Sequence, residues 1–197
     1  MTAPISQLVQ KSVSQRSVSR TLSLALLSSV IIAMPLLATE KPSNHAADNQ
    51  ASSQTGLVKL VRAGTRQYID VNNATAAGYG PFLGCVAGTD HGAMGVHYVN
   101  GTLLGNLTLD PSQPQALIYE PSNGKMTLVG VEFILDSASW LAANNNTPPV
   151  LDGEVFNFVD APNRFNIPAF FELHVWAWRD NPQGAFVDWN DRVNCGQ

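Results

Sequence analysis

The sequence predicts an α+β protein: an N-terminal amphipathic helix followed by a curved antiparallel sheet or small open barrel. Three observations carry this. Residues 57–79 hold one helical stripe of apolar and aromatic side chains. Three later runs are rich in β-formers, two of them joined by Asn123-Gly124. No alternation of strand and helix periods, GxGxxG or P-loop is present, which disfavours parallel nucleotide-binding folds.

Ahead of the helix lie two segments excluded from the fold. Lys11, Arg16 and Arg20 form a basic region without an acid, and residues 21–38 (TLSLALLSSVIIAMPLLA) are uncharged and apolar, ending in a small residue. This is the pattern of a secretory signal with cleavage after Ala38. An uncleaved membrane anchor is the rival reading, since the run lies at the lower edge of spanning length. Pro35 and the small residues near the end favour cleavage. Residues 39–55 (TEKPSNHAADNQASSQT) are polar and aperiodic, too poor in apolar surface to offset ordering entropy, and read as a disordered linker. Residues 56–197 then form a single α+β domain, large enough for its own core.

Within the domain, Val61, Thr65, Tyr68, Asn72, Thr75 and Tyr79 share one helical face, weakened by Gly64 and ended by Gly78. Residues 80–96 (GPFLGCVAGTDHGAMGV) carry the chemistry of a loop. Strands are expected over 116–120 (ALIYE), 127–135 (TLVGVEFIL) and 169–178 (AFFELHVWAW), with Asn123-Gly124 as a hairpin turn between the first two. Residues 136–169 read mostly as loop, and Asn181-Pro182 and Gly184 mark turns in the tail.

Charge and cysteine usage bound the partners. The chain has 11 basic and 15 acidic residues; removing the three basic residues of the signal leaves 8 against 15, a net charge of −7. An acidic domain without a basic run excludes nucleic acid and anionic membrane as partners, so membrane contact is expected only through an uncleaved signal segment. The two cysteines, Cys85 and Cys195, both follow the signal. In an oxidising compartment they are expected to form a disulfide. A metal-binding or reactive thiol is the weaker reading, because no CxxC exists and neither cysteine adjoins a basic residue.

The informative residues are polar ones in apolar strands. Glu132 interrupts VGVEFIL, with Leu128, Gly130 and Ile134 on its face. His174 interrupts AFFELHVWAW, whose alternation places Phe170, Glu172, His174, Trp176 and Trp178 on one face. A buried carboxylate must be neutralised, paired or metal-bound. His97 follows the glycine-rich segment. His97, Glu132 and His174 are therefore the expected ligands of a divalent ion (Zn, Fe, Mn or Cu), two imidazoles and a carboxylate being a recurrent open-site set. Glu120 is expected as a catalytic proton carrier or fourth ligand. His91, Trp176 and Trp178 are expected around a substrate pocket, and Glu172 as solvated or paired with Arg179. The plainer readings are a core histidine bonded to backbone for His174, a partner in Arg164 or Arg179 for Glu132, and a surface position for His91. A two-residue turn at Asn123-Gly124 pairs Glu120 with Thr127 and turns Glu120 and Glu132 to opposite faces; a one-residue shift brings them together.

The segments GVHYVN (95–100), DPSQPQALIYEP (110–121), LVGVEF (128–133) and LHVWAWRDNPQGAFVDWN (173–190), with Cys195, resemble those of a group of uncharacterised exported bacterial proteins. The resemblance spans residues 60–195 and implies that His97, Glu120, Glu132 and His174 occupy motif positions; it supplies no reaction. Ala177 stands where a larger apolar residue is expected, which touches packing only.

These readings converge on an exported, periplasmic or extracellular protein with a metal-centred site for a small molecule. A metal-dependent enzyme, whether oxidoreductase, hydrolase or lyase, is the first form of this reading. No Ser-His-Asp order, activated cysteine or GxSxG suggests acyl chemistry. An exported, non-catalytic small-ligand-binding module with an aromatic pocket is the alternative. A third is a structural domain in which Glu132 and His174 form a buried ion pair.

Overall fold

The computed structural model describes residues 56–196. The expected signal (1–38) and linker (39–55) lie outside the described residues. Among the described residues no helix is long and apolar enough to cross a membrane.

The expected single helix is broken into three pieces. Helix α1 (residues 56–65) continues into a 3₁₀ turn at Arg66–Ile69, and a second helix, α2, runs over Val71–Ala76. The break falls at Asp70, which adopts extended backbone and caps α2 by accepting a hydrogen bond from the Asn72 amide at 2.9 Å. Asp is a strong N-cap because its carboxylate satisfies an amide that the first helical turn leaves unpaired. The stripe is therefore only half used: Val61 and Thr65 are buried, whereas Asn72 and Thr75 are exposed. Gly64, which weakens α1 by propensity, is required by packing. A methyl group there would meet the Ser112 Cα at 2.4 Å.

Residues 80–96, expected as a loop, form two strands instead: β1 (Tyr79–Ala87) and β2 (Ala93–Asn100). Bulges absorb the glycines. The β1–β2 register shifts between Phe82 and Cys85, where Leu83 (φ 58°) and Gly84 (φ 72°) adopt left-handed backbone, and again between Val86 and Ala87. Helix α3 (Gly101–Leu104), strands β3 (Ala116–Ser122) and β4 (Lys125–Asp136), and helix α4 (Ser137–Ala143) follow. Then come short strands β5 (Val150–Leu151), β6 (Glu154–Val155) and β7 (Asn157–Val159), and finally β8 (Phe170–Val175). One six-stranded antiparallel sheet has the order β1-β2-β3-β4-β8-β7, and β5-β6 form a separate hairpin. The α+β class is as expected; the sheet is open, with β1 and β7 as its edges, and does not close into a barrel.

The two faces of the sheet are covered differently. Helix residues Leu57, Val61 and Ala74 pack with Leu117, Tyr119, Val131, Phe133, Leu173 and Val175 in the main core. The opposite face carries a smaller cluster of Ala93, Ile118, Val129, Trp176 and Val193, contributed in part by the chain beyond β8. That C-terminal segment is pinned at several points. Cys85 and Cys195 form the expected disulfide, with Cα atoms 5.6 Å apart. Fully buried Asn190 bridges to Ala93 through backbone bonds of 3.2 and 3.3 Å.

Candidate metal centre

The β3–β4 hairpin decides which polar groups meet. Asn123 (φ 50°) and Gly124 (φ 74°) make the expected two-residue turn, and Glu120 pairs with Thr127. The pairing then shifts: Tyr119 opposes Leu128, but Ile118 opposes Gly130, so a bulge leaves Val129 unpaired. Side-chain alternation inverts across a one-residue bulge. Leu128, expected beside Glu132, joins the helix-side core with Val131 and Phe133. Glu132 instead points to the opposite face with Gly130 and Ile134. A Cβ at Gly130 would meet the Val175 carbonyl at 3.0 Å and the Trp176 ring at 3.1 Å, so a side chain there would press on Trp176 where it closes over this strand.

On that face three residues converge. Glu132 is the cross-strand partner of His174, and His97 is the partner of Ile118 on the strand between. β3 offers only small Ala116 opposite Glu132, and His97 reaches past it, with Nε2 3.2 Å from Glu132 Oε2. The His97 and His174 rings meet edge to face with centroids 5.8 Å apart. One ligand atom from each of His97, Glu132 and His174 lies within 4.8 Å of the others, and all three residues are buried. Two atoms each about 2.1 Å from a shared ion stand roughly 3.0–3.4 Å apart, which the His97–Glu132 pair already satisfies.

His174 gives the strongest indication of a missing partner. It is 1 % exposed, yet neither ring nitrogen has a hydrogen-bond partner. A neutral imidazole carries one donor and one lone pair, and burying both unmet costs about 1–3 kcal/mol per group. Its Nδ1 lies 3.7 Å from Asp188 Oδ1, beyond a hydrogen bond. Asp188 also joins Glu172 and His174 in a second group with ligand atoms within 4.8 Å of one another. Sequence reasoning did not single out Asp188. Only the return of the chain after β8 brings it to the sheet.

The electrostatics sort the charges. Burial lowers the His174 pKa, opposed by the attraction of Glu132, so the ring is held neutral and its lone pair is available to an ion. Burial raises the Glu132 pKa, but the pull of His174 in its protonated form and a hydrogen bond with His97 outweigh it, so the carboxyl is held below its ordinary range. Glu172 goes the other way. Burial, the charge of Glu132 and a shared hydrogen bond with it push the Glu172 carboxyl up to about 10, so it is protonated at neutral pH. Glu172, expected as solvated or paired with Arg179, is 4 % exposed and pairs with Glu132. The alternation of 169–178 contained the signal, since Glu172 shares the face of His174.

The remaining expected residues are placed elsewhere. Glu120 lies on the same sheet face as Glu132 but four residues from the Ala116 level, about 13 Å along the strand. Its carboxylate accepts from Arg179 Nη2 at 2.6 Å and from the backbone and side-chain nitrogens of Asn194 at 3.0 and 3.2 Å. It clamps the C-terminal segment and stands apart from His97, Glu132 and His174. Arg179 thereby serves neither Glu132 nor Glu172. Arg164 lies over the Phe165 and Trp189 rings at 5.7 and 5.5 Å. His91 is exposed in the β1–β2 turn and lines a separate open cleft with Gln183, Asp188 and Trp189. Trp176 stacks on His174 with centroids 6.1 Å apart and donates to the Val187 carbonyl at 2.6 Å, walling the site. Trp178 departs from expectation. The strand ends at Val175, the chain turns, and Trp178 packs in the helix-side core with its Nε1 donating to Thr65 Oγ1 at 3.1 Å.

A cavity of about 50 Å³ opens onto His97, Glu132 and Glu172. Its other walls are apolar, from Phe82, Val86, Met94, Val99, Ile134 and Phe170 among others. Comparison of the chain with protein-family models, with curated proteins and with solved structures finds no match. Fold and site together define a class: an α+β protein whose open antiparallel sheet carries, on the face away from its helices, a buried His–Glu–His group able to hold a metal ion.

Proposed function

We propose that His97, Glu132 and His174 bind one divalent transition-metal ion and that the protein is a metal-dependent enzyme acting on a small molecule outside the cytoplasm. The observation that carries this reading is the unpartnered state of both His174 nitrogens beside an ionised Glu132 and the His97 imidazole. A buried ion pair alone accounts for His97 and Glu132 but leaves His174 unsatisfied. Neutral imidazoles and a carboxylate suit Zn²⁺, Fe²⁺, Mn²⁺ or Cu²⁺. Such an ion, when bound, polarises a substrate oxygen or activates water. Glu172, buried beside Glu132 and facing the cavity, is the carboxyl placed to move a proton there. Export is supported by the signal-like N-terminus and by the disulfide, and the motif segments make membership of the exported bacterial group part of the same reading.

Elemental analysis and titration of chelator-stripped protein test the site. One ion per chain is expected, with stoichiometric binding abolished by His97→Ala, Glu132→Ala or His174→Ala and retained by His91→Ala. Stripped protein that takes up none of the four ions sinks the reading. Product analysis with metal-loaded protein separates enzyme from binding module, since a module returns its ligand unchanged.

A further inference from the structure

The walls of the cavity carry information about what enters it. We infer that the site takes a small molecule with an apolar body and a single oxygen head group, and that it rejects polyols, zwitterions and phosphorylated compounds. This deepens the metal-site reading and rests on it only for the position of the head group.

Three observations lead here. Polar side chains occur at one end of the cavity only, where His97, Glu132 and Glu172 stand. Every other lining side chain is apolar, from Phe82, Leu83 and Val86 of β1 to Phe165, Ile167 and Phe170 on the far side. No lysine, arginine, serine, threonine or amide side chain lines it, so a second polar group on the ligand finds no partner within the walls. Burying a hydroxyl without a partner is unfavourable, and burying an unpaired charge far more so. Arg164, adjacent in sequence to Phe165, does not line the cavity; its guanidinium lies over the Phe165 and Trp189 rings.

The size sets the length of the body. A volume of about 50 Å³ corresponds to about four water-sized positions, and so to a chain of about four heavy atoms. Phe82 and Leu83, which line the cavity from the β1 bulge, are 42 % and 57 % exposed, so the part of a longer molecule that reaches them stays in solvent. Discrimination is therefore expected within the first four carbons and little beyond.

Straight-chain primary alcohols from ethanol to hexanol, and 1,3-butanediol, whose second hydroxyl falls within the cavity length, are the probes, titrated calorimetrically into the full chain with and without Zn²⁺. Each methylene from ethanol to butanol should tighten binding about four-fold, the factor equivalent to ~0.8 kcal/mol of burial per CH₂, with a plateau beyond. Butanediol should bind at least about ten-fold more weakly than butanol. Ile134→Phe, which fills the cavity, should abolish alcohol binding while Zn²⁺ uptake reports an intact site. Equal binding of diol and alcohol, or no dependence on length, overturns the inference even if Zn²⁺ binds stoichiometrically. A length series identical with and without Zn²⁺, in protein that takes up no ion, keeps the apolar cavity and overturns the metal reading alone.

Discussion

His97 and Glu132 stand on strands that are not neighbours, yet His97 Nε2 lies 3.2 Å from Glu132 Oε2 across the intervening β3. Two features permit this contact: Ala116, the small residue opposite Glu132, and the bulge at Val129 that turns Glu132 to this face. Deleting Val129 removes the bulge, so either Glu132 or the Asn123-Gly124 turn must take the wrong side. The deletion should abolish stoichiometric metal uptake. Wild-type uptake by the deletion variant would show that the bulge does not set the site.

Metal should stabilise the folded chain through His174. An ion that binds the native state alone adds about 2.7 kcal/mol at a free concentration one hundred times its dissociation constant. Urea unfolding with and without Zn²⁺ should show that shift in the wild type and none in His174→Ala. A His174→Ala variant stabilised as much as the wild type would remove His174 from the ligand set.

Glu172 should give metal-free protein an alkaline slope in stability. Its folded pKa is pushed up to about 10 from an ordinary 4.5, so between those values the folded state holds a proton that the unfolded state releases. Stability from this group is complete below about pH 4.5 and falls as pH rises, by at most about 1.4 kcal/mol per unit, until pH reaches about 10. The lowered pKa of His174 acts oppositely: its unfolded ring binds a proton below about 6.5, so stability falls as pH drops below that value. Glu172→Gln should flatten the alkaline limb and leave the acid limb. A wild-type profile that is level from pH 7 to 9.5, measured by urea unfolding, would show Glu172 to be ionised.

Glu120 should matter for stability and not for metal. Glu120→Ala leaves Arg179 and two Asn194 donors without their acceptor. We expect a loss of about 2–3 kcal/mol, less than for a fully buried pair because Arg179 is 38 % exposed. Metal stoichiometry should stay at the wild-type value, and its loss in a folded Glu120→Ala variant would return Glu120 to the site.

Reducing the Cys85–Cys195 disulfide should cost about 2–4 kcal/mol, because it closes a separation of 110 residues. The bridge also fastens the segment that carries Asp188 and Trp189 to β1. Cys85→Ser/Cys195→Ser should therefore increase hydrogen exchange over residues 180–196 before it affects β3 and β4. Unchanged exchange in that segment would leave Glu120 and Asn190 as its sufficient anchors.

Local pattern alone carried the α+β class, the β3–β4 hairpin with its Asn-Gly turn, the disulfide, and the three residues His97, Glu132 and His174. Each is a signal a few residues long: a left-handed turn that asparagine and glycine accept, two cysteines with no other partners, and a polar group within an apolar strand. Tertiary structure decided the rest, because the deciding interactions join distant parts of the chain. Asp70 ends a helix that periodicity would continue, and bulges keep Tyr79–Ala87 in a strand paired with Ala93–Asn100 despite the glycines. The bulge at Val129 reverses the face that a two-residue turn assigns to Glu132, and shifting register by one residue inverts every side chain beyond it. Asp188 reaches His174 only because the chain after β8 folds back over the sheet, and Glu120 serves as a clamp only because the same segment ends against it. No periodicity records which remote donor a carboxylate will meet, so the division between Glu132 beside two imidazoles and Glu120 as anchor belongs to the packed structure.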